Sequence, residues 1–386
     1  MRVLFWVQQL LGSGHVKRAG TLAEAMARHG LQVTVAAGGM PMPSLLPVGI
    51  DVVQLPSIRT SDPSFAALVD ADGKPVDDAL WQERQVRLQA ILAELQPQVV
   101  MTEMFPFGRR AFRRELLPLL ETAGAMRPRP WRLGSVRDIL VHKPVRERFA
   151  WMRDVARSHY DRVLVHTDPK LIPFDLTFPF AAELGDLLVN TGYVVEESAV
   201  PTGVPEVVVS AGGGGAAGAL LDAAIEARPI SCLAEAPWRL VAGSSFASDA
   251  FERLQDRLPP GIALDRHRDD FGALFANSLL SVSQAGYNTV VEGLKLGKPM
   301  VLVPFETASE TEQRIRAERL AGLGLATIVR ESELTASSLA HAIDTSYEQP
   351  RAAGQTLDLN GAEETALLVK KLAALPAPVA NHDRLA

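Results

Sequence analysis

One cysteine, Cys232, stands in a chain of 386 residues. A single thiol cannot close an intramolecular disulfide, and no C-x-x-C pair offers a structural zinc site, so a reducing cytoplasm is the natural setting. Long apolar runs are missing too. The first, Val3 to Val7, falls far short of the roughly 20 residues of a membrane helix and lacks the cationic flank of a secretory leader; it reads as an opening strand. Positive charge is not in excess: 39 Lys and Arg against 45 Asp and Glu leave a net charge of −6, which argues against a general nucleic-acid binder. No internal repeat or low-complexity tract is present.

What is there has a regular rhythm. The length exceeds one hydrophobic core and suggests two domains of roughly 180 residues each. Apolar runs alternate with helical stretches, the mark of parallel sheets wrapped by helices. Strands are expected over Val3 to Val7, Val33 to Ala36, Val52 to Leu55, Val99 to Thr102, Arg132 to Val136 and Val163 to His166. In the second half they fit Val207 to Ser210, Arg239 to Ala242, Ile262 to Leu264, Leu279 to Ser283, Met300 to Val303 and Ala326 to Val329. Helices fit Lys17 to Arg28, Leu80 to Leu95, Gly108 to Leu120 and Val145 to Tyr160. A boundary between Asn190 and Pro205 gives domains over 1–195 and 196–375, followed by a loose proline-bearing tail over 376–386.

The most informative stretch runs from Ser281 to Ala317, SVSQAGYNTVVEGLKLGKPMVLVPFETASETEQRIRA. A short buried strand ends at Ser283, Gln284-Ala285-Gly286 turns the backbone, and a helix starts near Asn288, so its unsatisfied amides would face a phosphate. Glu292 lies far enough along that helix to accept hydrogen bonds from the two hydroxyls of a ribose. Gly297-Lys298-Pro299 ends the helix, Met300 to Pro304 is the next strand, and Glu312-Gln313 follows. This order resembles the donor-binding half of the MurG-like glycosyltransferases of family 28, with their S-x-S-G-A-x-T-x-x-E, G-x-P, P-F and Q-Q or D-Q elements before an N-A. The chain matches at Ser281, Ser283, Gly286, Thr289, Glu292, Gly297, Pro299, Pro304, Phe305, Gln313 and Ala317. It departs at Glu312, where Gln or Asp is usual, and at Arg316, where Asn is usual.

The resemblance implies a GT-B fold, two Rossmann-like parallel-sheet domains facing a central cleft, with acceptor on the first and nucleotide-sugar donor on the second. It implies inverting transfer from a nucleoside diphosphate sugar, a UDP-sugar by preference, with neither metal nor cofactor required if helix amides stabilise the leaving diphosphate. Donor contacts are then expected at Ser283, Gln284, Ala285, Gly286, Asn288, Thr289, Glu292, Glu312 and Gln313. Upstream, Ser210 to Gly218 contains G-x-G-x-x-G at Gly213, Gly215 and Gly218. A dinucleotide site is disfavoured because the next strand ends in Gly243-Ser244-Ser245, with no acid for a ribose 2′-hydroxyl. By resemblance, Gly212, Gly213, Gly214 and Gly215 instead let the backbone approach the donor diphosphate. The loop from Leu264 to Phe271 is where the resemblance places the base, through backbone near His267-Arg268 and packing by Phe271. Asp269 and Asp270 read more readily as helix caps.

At the amino end, Gly12-Ser13-Gly14-His15-Val16-Lys17-Arg18 follows the first strand and opens a helix. A histidine there is a reasonable general base, since imidazole titrates near neutrality. The pattern resembles the acceptor-side loop of MurG-like transferases and, more closely, that of a nucleotide-sugar hydrolase of pseudaminic acid synthesis, so His15 activates either a sugar hydroxyl or water, with Gly14 and Arg18 beside the acceptor. The patches Thr102 to Arg110, Ser135 to Asp138, His166 to Pro169 and Thr191 to Tyr193 fall at strand ends and extend the likeness, to a bacterial branch of GT-B glycosyltransferases, over nearly the whole chain. Glu103 and Asp138 are expected as catalytic support and Arg109 and Arg137 as acceptor contacts, against the alternatives of an internal Arg137-Asp138 pair and a solvated basic helix start over Gly108 to Glu115. Phe105 and Phe107 with Arg109, Arg110, Arg113 and Arg114 suggest a peripheral contact with an anionic inner leaflet. Asp70-Ala71-Asp72 reads as a surface turn, not a metal motif. A nucleotide-sugar hydrolase, a non-hydrolysing epimerase and a non-catalytic nucleotide-sugar sensor stay open as alternatives.

Overall fold

A computed structural model of the chain describes residues 1–10, 13–42, 45–60, 67–140, 145–197, 199–212, 217–243, 246–306, 311–348 and 357–377. It divides into two compact units, Met1–Val195 with Leu357–Ala386, and Glu196–Thr356.

The first unit contains strands β1 (Arg2–Val7), β2 (Gln32–Ala37), β3 (Asp51–Gln54), a short hairpin of β4 (Arg59–Thr60) and β5 (Leu68–Val69), then β6 (Val99–Glu103), β7 (Trp131–Arg137), β8 (Arg162–His166) and β9 (Leu188–Asn190). Its helices are α1 (Gly14–Arg28), α2 (Asp78–Leu95), α3 (Arg113–Ala125), α4 (Arg146–His159) and α5 (Ala181–Leu184). The seven-stranded sheet runs β3-β2-β1-β6-β7-β8-β9, and every pairing in it is parallel. Helices on both faces bury both sides of the central strands, which explains why β1 from Val3 onward and β6 as far as Met101 are continuous apolar runs rather than alternating ones.

The second unit holds β10 (Val207–Ser210), β11 (Trp238–Val241), β12 (Ile262–Asp265), β13 (Leu280–Ser283), β14 (Met300–Leu302) and β15 (Thr327–Ile328). Its helices are α6 (Ala217–Ala227), α7 (Ser248–Gln255), α8 (Phe271–Ala276), α9 (Tyr287–Lys295), α10 (Glu312–Gly322) and α11 (Ala336–Glu348). The six strands pair in parallel in the order β12-β11-β10-β13-β14-β15. Both sheets therefore reverse their winding once, between β1 and β6 and between β10 and β13. In open parallel sheets the loops leaving the carboxyl ends of such a strand pair diverge and leave a crevice for ligand.

The last helix, α12 (Gly361–Ala373), corrects the expected second domain of 196–375. Its Ala366, Val369 and Leu372 share a core with Ala19, Leu22 and Met26 of α1. His29 Nε2 meets Glu363 Oε1 at 2.6 Å, and Trp131 Nε1 donates to the Leu375 carbonyl at 3.1 Å. The apolar stripe of α12 thus completes the first unit, and nothing in its own sequence specifies which sheet it covers. Of the expected tail, residues 378–386 lie outside the described residues. Among the described residues no helix is long and apolar enough to cross a membrane.

Candidate functional site

The β1–α1 loop and the end of β6 leave the first unit's switch point, and they bring His15 and Glu103 together. Glu103 is the last residue of β6 and fully buried. His15 lies in the first turn of α1 with its Nδ1 2.8 Å from Glu103 Oε1. Arg18, one turn later on α1, donates through Nη2 to the same oxygen. Arg18 Nη2 also lies 3.4 Å from His15 Nδ1, but that nitrogen cannot accept a proton while donating to the carboxylate. Glu103 thus orders the tautomer with Nδ1–H bound and the Nε2 lone pair available. Glu103 Oε2 is buried with no hydrogen-bond partner among the described residues.

Electrostatics fix the charge states. Burial by itself would raise the Glu103 carboxyl, but His15, Arg18 and Arg109 outweigh it and hold it at about 2. Burial drives His15 down to about 4, opposed by Glu103 and reinforced by Arg109 and Arg18. At neutral pH the pair is therefore a carboxylate and a neutral imidazole, which can accept a proton. Because the neutral form is the base, kcat/KM is expected to hold from neutral pH downward and fall only as pH drops through about 4. An acid limb centred near the ordinary histidine value of about 6.5 would place the ring in water and away from this cluster. Folding stability declines earlier, as pH falls from the unfolded histidine value of about 6.5 toward about 4, since the unfolded chain takes up a proton that the buried ring refuses. The profile is therefore read alongside a stability control.

Around this pair the ends of the neighbouring strands supply more polar groups. Arg109 donates through Nε to the Gln8 carbonyl at 2.9 Å, and burial together with Arg137 and Arg18 lowers it to about 10, so it stays a cation. Arg109 and Met104 both have positive φ, 56° and 63°. Such left-handed non-glycine residues cluster where a site over-determines the backbone. His166, closing β8, is clamped between Ser135 Oγ on Nε2 and Thr191 Oγ1 on Nδ1, each at 2.8 Å, and burial, aided by Arg18, lowers it to about 3. Its patch stands out in the sequence, but its role as a neutral strut emerges only from three strands in register. Asp138 is fully buried, and its Oδ1 accepts from the Ile139 amide at 2.9 Å.

Two expectations for this unit change. Phe105 and Phe107 are fully buried: Phe105 packs edge-on against Trp151, and Phe107 against Phe174 and Phe178. The left-handed turns at Met104 and Arg109 fold the loop inward, so no aromatic membrane patch exists there, although Arg110, Arg113 and Arg114 are exposed. Nor is Gly108 to Glu115 a solvated basic helix start throughout, since Glu115 is buried and bonded to Arg84. Asp70 to Asp72 forms a turn in which Asp70 Oδ1 accepts from the Lys74 amide at 2.8 Å.

The second unit's switch point lies between β10 and β13. Gly212 follows β10 at φ +65°, and a β-carbon there would sit 2.8 Å from Gln284 Oε1, so the two loops touch and glycine is required. Gly213, Gly214 and Gly215 lie outside the described residues, as does Gly12 of the β1–α1 loop. Gly286 is the N-cap of α9, whose first residue, Tyr287, is one ahead of the expected start, and no side chain caps the helix. The amide ends of Tyr287, Asn288 and Thr289 thus open α9 without side-chain competition, a geometry suited to an anion. Ser281 and Ser283 keep buried hydroxyls with no partner among the described residues.

Glu292 lies further along α9, its Oε1 3.5 Å from where a β-carbon on Gly272 would stand. That places it beside the start of α8, where Phe271 stacks on Phe275 at 5.9 Å. Arg268 is held by Asp270 through Nε at 2.8 Å and Nη2 at 2.6 Å, and by Asp265 at 3.2 Å. The capping reading of the two aspartates fails for this reason: Asp270 occupies the N-cap position of α8, but its carboxylate takes the guanidinium instead of an amide, a charge-assisted bond being the stronger. Asp269 faces His267 at 3.3 Å. Gln313 Oε1 accepts from the Phe305 amide at 3.1 Å, which ties the P-F and E-Q elements together. Glu312 is buried and accepts from Arg316 at 2.7 Å.

Comparison with known proteins agrees with this construction. Residues 208–372 match the glycosyltransferase family 28 C-terminal domain. A similar curated protein is the UDP-N-acetylglucosamine--N-acetylmuramyl-(pentapeptide) pyrophosphoryl-undecaprenol N-acetylglucosamine transferase of Thermotoga maritima, 27% identical over 173 residues, 45% of this chain and 49% of the relative. The Rhodopseudomonas palustris protein of the same name is 30% identical over 201 residues, covering 48% and 53%. The chain thus spans about half the length of the curated relatives it matches. Among solved structures, Acinetobacter baumannii MurG superposes with a TM-score of 0.58 at 16% identity, over 96% of this chain and 99% of that one. The calicheamicin glycosyltransferase CalG4 gives 0.58 at 16% identity over 97% and 94%. The spinosyn rhamnosyltransferase SpnG with thymidine diphosphate gives 0.59 at 16% identity over the whole of both chains, at 100% each. The chain thus has the GT-B fold of these solved glycosyltransferases, and over residues 208–372 it is similar to glycosyltransferase family 28, MurG-like proteins included.

Proposed function

We propose that this protein transfers a sugar from a nucleoside diphosphate sugar, a UDP-sugar in this reading, to an acceptor hydroxyl with inversion at the anomeric carbon. The observation that carries the reading is the buried Glu103 carboxylate bound to His15 Nδ1 at 2.8 Å, at the switch point of the first sheet. His15 Nε2 takes the acceptor proton as the acceptor oxygen attacks the anomeric carbon. The bond from that carbon to the diphosphate breaks, and the leaving UDP carries away the electron pair. Its charge is met by the amide end of α9 and the backbone at Gly212, so neither metal nor cofactor is invoked. Arg109 and Arg137 are assigned to the acceptor, Asp138 to support of the strand ends, and Gly14 and Arg18 to placing His15. The proposed setting is the cytoplasm. A peripheral membrane contact now rests on the exposed Arg110, Arg113 and Arg114, and it belongs to the reading only with a lipid-linked acceptor.

Glu292 is assigned to the ribose. Glu292→Ala is expected to weaken UDP binding by about 1.5 to 3 kcal/mol through loss of charge-assisted hydrogen bonds; unchanged affinity by calorimetry in a folded variant removes Glu292 from the site. The whole reading is tested by calorimetry against a panel of nucleotide sugars, then by following UDP release with and without a bacterial lipid and glycan extract as acceptor source. Acceptor-dependent UDP release is expected. Free sugar at full rate without the extract identifies a hydrolase, interconverted donors without UDP an epimerase, and binding without turnover a sensor.

A further inference from the structure

Glu312 and Arg316, the two positions at which the 281–317 unit leaves its family pattern, are bonded to each other. Arg316 Nη2 donates to Glu312 Oε1 at 2.7 Å across one turn of α10. Its Nη1 donates to the Ala285 carbonyl at 2.7 Å, and the guanidinium lies 5.7 Å over the Tyr287 ring. Arg316 is fully buried, and Glu312 is 7% exposed. Ala285 and Tyr287 flank Gly286, from which α9 begins. One buried cation therefore grips the segment that sets the direction of the first α9 amides.

We propose that Arg316 is a positioning and charge-tuning residue for the donor diphosphate: it clamps the Ala285–Tyr287 segment so that the α9 amides are aimed, and it adds positive potential there. Glu312 holds the clamp and attenuates that potential. The proposal rests on the donor assignment of the second unit. Arginine suits the task because its planar fork fixes two acceptors at once, which a lysine cannot do. A buried cation beside a helix amino end is repelled by the partial positive charge there, but it reinforces that charge toward an anion. A neighbouring carboxylate relieves the repulsion in the empty protein and opposes the anion in the filled one. Removing either partner should therefore move anion affinity in opposite directions, which a merely structural ion pair would not do.

The test uses the full chain as wild type, Arg316→Lys, Arg316→Gln and Glu312→Gln, with affinities for UDP and for uridine and thermal unfolding with and without UDP. Arg316→Gln is expected to weaken UDP about tenfold or more with uridine changed less than about twofold, and Arg316→Lys to fall between it and wild type. Glu312→Gln is expected to unfold at lower temperature when empty, yet to bind UDP about threefold more tightly and to gain a larger UDP-induced rise. Equal losses for UDP and uridine in the Arg316 variants overturn the proposal, as does weaker UDP binding by Glu312→Gln. Should Arg316→Gln fail to fold, the opposite signs of Arg316→Lys and Glu312→Gln decide the matter alone. A wild-type chain that binds neither UDP nor another nucleoside diphosphate overturns the donor assignment itself, a result distinct from failure of the clamp.

Discussion

His15→Ala is expected to lower kcat by roughly two to four orders of magnitude while leaving donor affinity nearly unchanged, because general-base assistance contributes about that much. The expectation follows from the arrangement of charges. His15 Nδ1 is occupied by Glu103, and burial keeps the ring neutral by lowering its pKa to about 4. When the ring accepts the acceptor proton, the adjacent carboxylate balances the imidazolium, so the same contact that orients the base also stabilises its product. In the proposed reading the donor groups belong to the second unit, so a truncated imidazole leaves them untouched. Kinetics with saturating donor separate the outcomes. A loss of turnover no larger than the loss of donor affinity makes His15 a positioning group, and unaffected turnover moves the base to Glu103 or Asp138. Acceptor-independent release of free sugar, abolished by the same substitution, keeps His15 as the base and makes water the acceptor.

How much of this was legible in the sequence depended on the distance between partners. The strand ends were readable because doubly buried parallel strands are continuous apolar runs: Val207 to Ser210 matches β10 residue for residue, and Trp238–Val241 differs from its expectation by one position. Strand β9 was not readable, since Leu188–Asn190 is three residues long and partly exposed. The second unit's site was legible as one contiguous stretch, with turn, helix start and carboxylate in fixed order. The first unit's site was legible only as separate patches. Nothing local to Glu103 indicates that its carboxylate meets His15, 88 residues away, and nothing local to His166 indicates that Ser135 and Thr191 hold it on either side. Charge misled where packing won: Phe105 and Phe107 sit among arginines in the chain but turn inward, and Asp270 gave up a cap for Arg268. Arg316 was visible as a departure, and its meaning came from Glu312 one helical turn earlier.

The second large effect lies beneath the first unit's site, where Glu115→Ala is expected to destabilise that unit by about 3 to 5 kcal/mol, as breaking one side of a buried ion pair does. Arg84 and Glu115 are both fully buried, joined by two parallel bonds, Nε to Oε2 and Nη2 to Oε1, each 2.7 Å long. Trp6 Nε1 adds a third bond to the carboxylate at 3.0 Å. Without it, the guanidinium keeps the Gly38 carbonyl at 2.9 Å and Gln8 Oε1 at 3.0 Å, but no negative charge, in a shell of Trp6, Trp81 and Phe112. Arg84→Met with Glu115→Leu removes both charges and should cost clearly less than the sum of the single changes, a coupling that urea unfolding followed by tryptophan fluorescence can read in a double-mutant cycle. A single-variant loss under about 1 kcal/mol would mean the pair behaves as a surface bridge. The consequence reaches the chemistry through Gln8, whose side chain accepts from Arg84 and whose carbonyl accepts from Arg109 at 2.9 Å. Gln8 opens the loop that delivers His15, so Glu115→Ala should also reduce kcat at temperatures where the variant remains folded, whereas the charge-free double variant should recover part of it by restoring a packed floor under that loop.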